Sequence, residues 1–286
     1  MWAALIILYF IFGAASYVLR RELAQKLPEH NRVINVIFFV IFLLPTGIIL
    51  SFFFPHDLNV GTMNLAFLLG GSIIWPIFYI IAFNANKEVD AGIFAIIGNV
   101  SPIFTVGIAL LFLHESLSVH QSLGIGLLIL SGTLAATSQL HMSRSASING
   151  ILLCLLAASV SGVAIAYERF MLTRVDFGAY LIYGWGAQIA WSVILAHREL
   201  KNLPTILSAK DTRQTLLAWG ASSTLRSVAF IIALNISSAS LVSGASDFMS
   251  VAVVIAAYFY LKEREHLLYK SIAAAIGIAG LLLIAG

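Results

Sequence analysis

The repeated stretch of this chain reads ANKEVDAGIFAIIGNVSPIFTVGIALLFLHE at residues 85–115 and ALNISSASLVSGASDFMSVAVVIAAYFYLKE at residues 233–263. The two copies align without a gap at a constant offset of 148 positions, and the alignment continues to residues 134 and 282. Each copy contains an apolar helix, a short charged loop and a second apolar helix. Identical residues include the pairs Ala85 and Ala233, Ala91 and Ala239, Ala109 and Ala257, Leu113 and Leu261, Glu115 and Glu263, Gly132 and Gly280, and Leu134 and Leu282. Self-similarity at a fixed offset indicates an internal repeat.

Each half of the chain is predicted to cross a membrane five times, because one helical span needs about 20 apolar residues. The ten predicted spans are 2–20, 33–54, 63–83, 90–113, 119–139, 148–170, 177–196, 214–234, 239–261 and 267–285. Five is an odd number, so the second half enters the membrane inverted relative to the first. The sequence therefore predicts an all-α membrane protein of two inverted five-helix repeats, at 1–142 and 148–286. Pro45, Pro76 and Pro102 are predicted to interrupt spans 2, 3 and 4.

The composition excludes a soluble protein. The chain is 60% hydrophobic and 10% charged, whereas a soluble domain is about 25% charged. Its net charge of +3 lies in the predicted loops and does not indicate nucleic-acid binding. The single cysteine, Cys154, cannot form an internal disulfide. The sequence has no metal-ligand cluster, no nucleophile beside a base and no glycine-rich phosphate loop, so we expect no metal, no cofactor and no enzymatic activity.

Arg226 and Asp247 are charged residues inside predicted spans 8 and 9. A charge at the membrane centre costs at least ~2.5 kcal/mol. Both residues lie about ten positions from the middle of the turn between these spans, roughly 15 Å deep at ~1.5 Å per residue. One hypothesis is a buried ion pair that fixes span 8 to span 9. The other is a polar cavity in which Arg226 binds a carboxylate or phosphate, while Asp247 is released on binding or carries a proton.

The equivalent positions of the first half are uncharged. Position 226 corresponds to Phe78, and position 247 corresponds to Asn99. Trp75 and Tyr79 lie one helical turn apart on the same span as Phe78. A pocket with one charged and one aromatic wall suits a small amphipathic metabolite. Packing against lipid or protein is the alternative interpretation of Trp75 and Tyr79.

Three other features are interpreted as interfacial. Tyr17 and Tyr167 end spans 1 and 6 and are predicted to anchor the helices at the membrane surface. Glu168 and Arg169 follow at the end of span 6, and we expect a local interfacial pair.

The repeat and its loops resemble the EamA-type branch of the drug/metabolite transporter superfamily over essentially the whole chain. The resemblance is carried by residues 85–91, 101–104, 113–115 and 132 of the first half and by residues 233–239, 261–263 and 280 of the second. The family pattern has an alanine before the turn, a proline in the fourth helix, a glutamate after that helix and a glycine in the fifth. Ser250 stands where the second half would have the proline.

The resemblance implies a central cavity lined by helices 1, 3, 4, 6, 8 and 9. We expect the substrate to bind there, at Arg226, Asp247, Asn99, Trp75 and Tyr79. The expected function is secondary transport of a small polar, anionic or zwitterionic metabolite by alternating access. The expected partners are that substrate, membrane lipid, and a coupling proton or a counter-substrate. The alternatives are a flippase for a lipid-linked substrate and a scaffold subunit that transports nothing.

The distribution of basic residues predicts the orientation in a cell membrane. One set of predicted loops carries Arg20, Arg21, Lys26, Arg32, Lys87, Arg144, Arg198, Lys201, Lys210, Arg213, Lys262, Arg264 and Lys270, whereas the opposite loops carry Arg169 and Arg174. Because basic loops stay in the cytoplasm, both termini are expected on the outer side.

Reporter fusions at the carboxyl terminus measure this orientation. We expect alkaline phosphatase, which is active outside the cytoplasm, to be active there, and green fluorescent protein to be dark. Fluorescence from the second fusion would contradict the predicted topology.

Overall fold

The computed structural model describes the larger part of the chain. The described residues are 2–113, 118–120, 122–124, 126–127, 130–131, 134, 147–208, 210–236, 239, 242–243, 246, 249–262 and 267–285. They form helices joined by turns and short loops. Predicted span 5 and the first half of span 9 lie mainly outside these residues.

The described helices are numbered here in chain order. They are α1 (Trp2–Lys26), α2 (Asn31–Ser51), α3 (Thr62–Gly71), α4 (Ile74–Glu88), α5 (Ala91–Gly98), α6 (Ser101–Leu113), α7 (Ile148–Leu172), α8 (Phe177–Ala196), α9 (Leu203–Ser208), α10 (Lys210–Ile236), α11 (Met249–Tyr260) and α12 (Leu267–Ala285). Two of them widen into π-helical turns, at Phe38–Leu43 in α2 and at Tyr180–Gly184 in α8.

The all-helical prediction holds for the described residues. Six described segments are long and apolar enough to cross a membrane: Asn31–Ser51, Thr62–Glu88, Ala91–Ile108, Ile148–Leu172, Phe177–Ala196 and Lys210–Ile236. The chain is therefore a multi-pass membrane protein, while the ten-helix inverted repeat stays a prediction. The largest difference in a helix end is in α1, which continues to Lys26 instead of ending at residue 20.

Two of the three prolines interrupt their spans as predicted. The break between α3 and α4 falls at positions 72–73, and that between α5 and α6 falls at positions 99–100. The first break lies three to four residues before Pro76 and the second lies two to three residues before Pro102, within the turn that a proline disrupts by removing a hydrogen-bond donor and by its ring. Pro45 acts differently, because α2 remains helical from Asn31 to Ser51 and accommodates the proline by the π-helical turn before it.

The main contacts between helices occur in pairs, in which each contact has an equivalent at the 148-residue offset of the internal repeat. The most extensive packing joins α1 to α10 and α4 to α7. A shift of 148 positions carries α1 onto α7 and α4 onto α10, so each contact is the image of the other. The same shift relates the packing of α6 on α7 to that of α11 on α1. This pairing agrees with two halves that are related by an internal two-fold axis.

A pair of hydrogen bonds follows the same relation. Arg21 Nη1 donates to the backbone carbonyl of Asn86, and Arg169 Nη1 donates to that of Leu234 at 3.0 Å. Both bonds span 65 positions, and their donors and acceptors are each 148 positions apart. Each arginine ties the first long helix of its half to the helix that carries residue 86 or 234.

The close approach of α6 and α7 depends on Gly162. A Cβ atom at this position would lie 2.5 Å from the carbonyl oxygen of Ser101 and 2.6 Å from Cβ of Phe104. The contact is closed by Thr105, whose Oγ1 donates to the carbonyl of Gly162 at 3.2 Å. Small residues at such interfaces let membrane helices pack at short distance.

Gly162→Ala is expected to lower the free energy of unfolding by about 2 kcal/mol, because the added methyl group overpacks the interface. The control is Gly186→Ala, where no atom lies within 4 Å of the added methyl group. Alanine there is expected to stabilise α8 by about 0.5–1 kcal/mol, the ordinary difference in helix propensity. Thermal unfolding in detergent compares the two variants, and equal melting temperatures would contradict the tight α6–α7 contact.

Candidate functional site

A cavity lies in the middle of the bundle, between α1, α2, α4, α5, α7, α8, α10 and α11. The cavity has a volume of about 80 Å³, which gives room for about six water molecules. Its aromatic lining residues are Tyr9, Tyr17, Phe38, Phe39, Trp75, Phe78, Tyr79, Phe94, Trp185 and Phe230. Phe38 and Phe39 belong to the π-helical turn of α2. Such turns are common at functional sites because they displace a helix face from its regular path.

Arg226 projects into this cavity from the middle of α10. Its side chain is 7% exposed, and its Nη2 donates to the hydroxyl of Tyr79 at 3.1 Å. The guanidinium carbon lies 5.7 Å from the ring centre of Tyr17, so the cation also faces an aromatic ring. Gly13 of α1 leaves room for the neighbouring Met249, since a Cβ atom there would lie 3.1 Å from Cγ of Met249 and closer still to its sulfur atom, but only in ordinary contact with Cδ of Arg226.

Four of the five predicted site residues line the cavity. Trp75 and Tyr79 come from α4, Arg226 comes from α10, and Asn99 caps the end of α5. Asn99 Nδ2 donates to Oγ of Ser250 at 3.3 Å, across the boundary between the two halves. The break before Pro102 places this amide at a helix end, where backbone groups are free for other partners.

Asp247 lies outside the described residues. The ion pair between Arg226 and Asp247 therefore stays a hypothesis. The alternative, a polar cavity that both residues line, stays a hypothesis for Asp247. The described neighbours of Arg226 include the neutral hydroxyl of Tyr79 and the ring of Tyr17.

The interfacial interpretation of Glu168 is wrong. Glu168 is 4% exposed, lines the cavity and accepts a hydrogen bond from the hydroxyl of Tyr180 at 2.7 Å. Arg169 points elsewhere, to the carbonyl of Leu234. Because α7 continues to Leu172, position 168 lies inside the helix and faces the cavity.

The interpretation of Tyr17 as a surface anchor is also wrong. Tyr17 lines the cavity, and two guanidinium groups face its ring. One belongs to Arg226. The other belongs to Arg20. Its predicted place in a loop is wrong, because Arg20 lies within α1 and is 1% exposed.

One sequence signal could have identified both missed charges. Arg20 and Glu168 are separated by 148 positions, so they occupy equivalent places in the two halves. Each is a charged residue at a repeat-related position near the end of a long apolar helix. A charge that recurs at such a position indicates a site more strongly than either charge alone.

The described lining also contains polar groups without a protein partner. The Nε2 atom of Gln188 and the hydroxyl of Ser101 are buried and make no hydrogen bond within the described part of the chain. Buried polar groups are normally paired with protein or water. A ligand in the cavity would therefore meet hydrogen-bonding groups from Gln188 and Ser101, the carboxyl group of Glu168 and the guanidinium group of Arg226, all surrounded by aromatic rings.

Comparison with family models gives a match. Residues 1–137 match the model of the EamA-like transporter family, which confirms the resemblance over this part of the chain. No curated protein matches the chain.

The fold also occurs among solved structures. One crystal structure, described only as that of a protein, superposes on 98% of this chain and 94% of its own with a TM-score of 0.65. The two sequences are 14% identical, so this likeness shows a shared fold alone.

Proposed function

We propose that this chain, which belongs to the EamA-like transporter family over its first half, is a secondary transporter of a small anionic or zwitterionic metabolite. The single observation that carries the proposal is Arg226, a buried guanidinium in the wall of a central cavity. A charge in the middle of a membrane bundle is costly and is typical of a substrate or ion pathway. Transport then needs a gradient or an exchanged solute, because the sequence has no ATP-binding motif.

The chemistry of Arg226 favours an anion. A guanidinium has five N–H donors in a planar fork, which match two oxygens of a carboxylate or phosphate. Tyr79 accepts from Nη2 and holds the fork in place, and it leaves the group its full positive charge. Because the guanidinium group is surrounded by aromatic rings and poorly solvated, its electrostatic attraction for an anionic group of the substrate is stronger than that of an exposed arginine.

The size of the cavity limits the substrate. Room for about six water molecules corresponds to about 180 Å³ of liquid, which is the volume of a small metabolite. The aromatic walls supply apolar contact for its carbon skeleton, while the polar groups fix its orientation.

Glu168 favours a zwitterion over a simple anion. Its carboxyl lines the cavity on α7, whereas the guanidinium of Arg226 comes from α10. A substrate with one anionic and one cationic group meets a complementary group at each pole. The alternative use of Glu168 is to bind the coupling proton, for which a buried carboxyl that is held by the hydroxyl of Tyr180 is suited.

The helix packing supports alternating access as the mechanism. The cavity lies where α1, α4, α7 and α10 meet, and these helices form the two repeat-related contacts. Arg21 and Arg169 brace each half internally, so the halves can rock against one another as units. Transporters with inverted repeats bind their substrate at such an interface near the midplane.

Arg226→Ala is expected to abolish transport and to weaken substrate binding by about tenfold to hundredfold, the usual effect of losing a hydrogen bond to a charged group. Binding is measured as thermal stabilisation of the purified protein by amino acids, sugar phosphates, nucleotide sugars and organic cations, since a ligand stabilises the state it binds. Transport of the stabilising compound is then measured in liposomes.

Arg213→Ala is the matched control, because Arg213 lies on the same helix and is exposed. This variant is expected to behave as the wild-type protein. Undiminished binding and transport by Arg226→Ala would contradict the proposed site, and stabilisation by organic cations alone would contradict the anionic substrate.

Glu168→Gln is expected to weaken binding of amine-bearing carboxylates by about tenfold and to leave binding of the same carboxylates without the amine unchanged. The exposed residue Glu29 supplies the control, Glu29→Gln. If Glu168 binds the coupling proton instead, both affinities stay unchanged, exchange of substrate continues, and accumulation driven by a pH gradient is lost.

A further inference from the structure

Arg20 is a second buried cation that the function proposed above does not use. We propose that Arg20 is an anion-binding residue of the transport path, which receives the carboxylate or phosphate of the substrate on the far side of Tyr17 from Arg226. This inference rests on the proposed function, because it concerns the same substrate and the same cavity.

The surroundings of Arg20 are aromatic. Its guanidinium carbon lies 4.4 Å from the ring centre of Tyr17 and 4.5 Å from that of Phe94. Both rings also line the cavity. Arg20 thus lies directly behind two walls of the site, and a rotation of either ring would bring it into contact with the substrate.

The side chain of Arg20 is within hydrogen-bonding reach of the Tyr17 side chain, but part of its hydrogen-bonding capacity is unused. Its Nε and Nη2 atoms are buried and have no hydrogen-bond partner among the described residues. Aromatic rings attract a cation through their faces, but they do not accept these in-plane N–H groups as a carboxylate or phosphate would. An arginine that is fully buried without such partners is costly to the empty protein. The arrangement is therefore explained by a ligand that supplies oxygen atoms.

Arg20 and Arg226 form one electrostatic unit. They face the same ring of Tyr17, at 4.4 and 5.7 Å, and they are close enough for their charges to repel each other. An anion between or beside them would relieve this repulsion. In this proposal, two guanidinium groups that face one aromatic ring give the anion two successive positions along the bundle.

A group of hydrogen-bonded polar residues lies beyond Arg20, toward the carboxyl-terminal end of α1. Lys26 Nζ lies 2.6 Å from Oε1 of Glu22 and donates to Oγ1 of Thr215 at 3.1 Å. The hydroxyl of Tyr260 donates to the other oxygen of Glu22 at 3.0 Å. This group joins α1, α10 and α11 at the end of the bundle where α1 ends. An anion that leaves the cavity toward this end passes Arg20 before it reaches the group.

The experiment compares anion-dependent stabilisation of the wild-type protein, Arg20→Gln and Arg20→Met in detergent without added lipid. Sodium phosphate and sodium acetate are the probes, with sodium chloride at equal ionic strength as reference. Arg198→Gln is the control, because Arg198 is an exposed arginine near the same end. General salt effects act equally on all variants, so only the difference between variants reports binding.

The proposal predicts that the two Arg20 variants lose at least about tenfold in apparent affinity for a probe that stabilises the wild-type protein and Arg198→Gln equally. Arg20→Met is also expected to melt higher than the wild-type protein without a probe, because an unpaired buried charge has been removed. A residue that only clamps Tyr17 and Phe94 predicts the opposite: a lower melting temperature and an unchanged response to the probes. An unchanged response overturns the proposal.

Two further outcomes separate the possible sources of failure. If neither probe, nor any anion of the metabolite panel, stabilises the wild-type protein, the proposed function fails together with this inference. If anions stabilise the wild-type protein and the Arg20 variants alike, the proposed function stands and the inference falls. Stabilisation by phosphatidylglycerol but not by free anions, lost in Arg20→Gln, also overturns the proposal, because Arg20 then binds a lipid headgroup and not the transported substrate.

Discussion

The burial of the guanidinium of Arg226 is the constraint on which the rest of the site depends. A charge at this depth survives only if its surroundings compensate for the lost water. The hydroxyl of Tyr79 on α4 and the ring of Tyr17 on α1 do so in part. The helices around Arg226 must therefore hold a polar cavity open. A wholly apolar interface at this place would pack more tightly but could not receive a charged substrate.

The internal repeat explains why the cavity lies where it does. The contact of α1 with α10 and that of α4 with α7 are images of each other, and so are the bonds that Arg21 and Arg169 donate. Two halves braced in the same way meet along one seam, and the site lies on that seam. In the proposed transporter, rocking about the seam would change the contacts between the halves while the internal bonds of each half persist. Alternating access requires two packed arrangements of this kind.

The sequence predicts the helices well and the site in part. Arg226, Tyr79, Trp75 and Asn99 were identifiable because charge or polarity in the middle of an apolar span stands out against its neighbours. Arg20 and Glu168 were missed because hydropathy places helix ends poorly: α1 and α7 continue past the predicted ends, and residues assigned to an interface lie inside. Tyr17 was assigned to the membrane surface for the same reason, because the end of α1 was predicted too early. The π-helical turns at Phe38–Leu43 and Tyr180–Gly184 could not be predicted either, since hydropathy does not distinguish a π-helical turn from an α-helical one.

The equivalence of Arg20 and Glu168 distinguishes the two ends of the bundle. An inverted repeat makes the two conformations of a carrier alike, so that a symmetric sequence would treat both sides of the membrane equally. Arg20 in the first half and Glu168 at the equivalent position of the second half make the two sides different, because one side chain is cationic and the other is acidic. Arg20 lies behind Tyr17 and Phe94, and Glu168 is held by Tyr180. In the proposed transporter, a zwitterion would keep one orientation throughout its passage, with its anionic end toward Arg20 and its cationic end toward Glu168. In that transporter, the two equivalent positions would give the two ends of the transport path opposite charge.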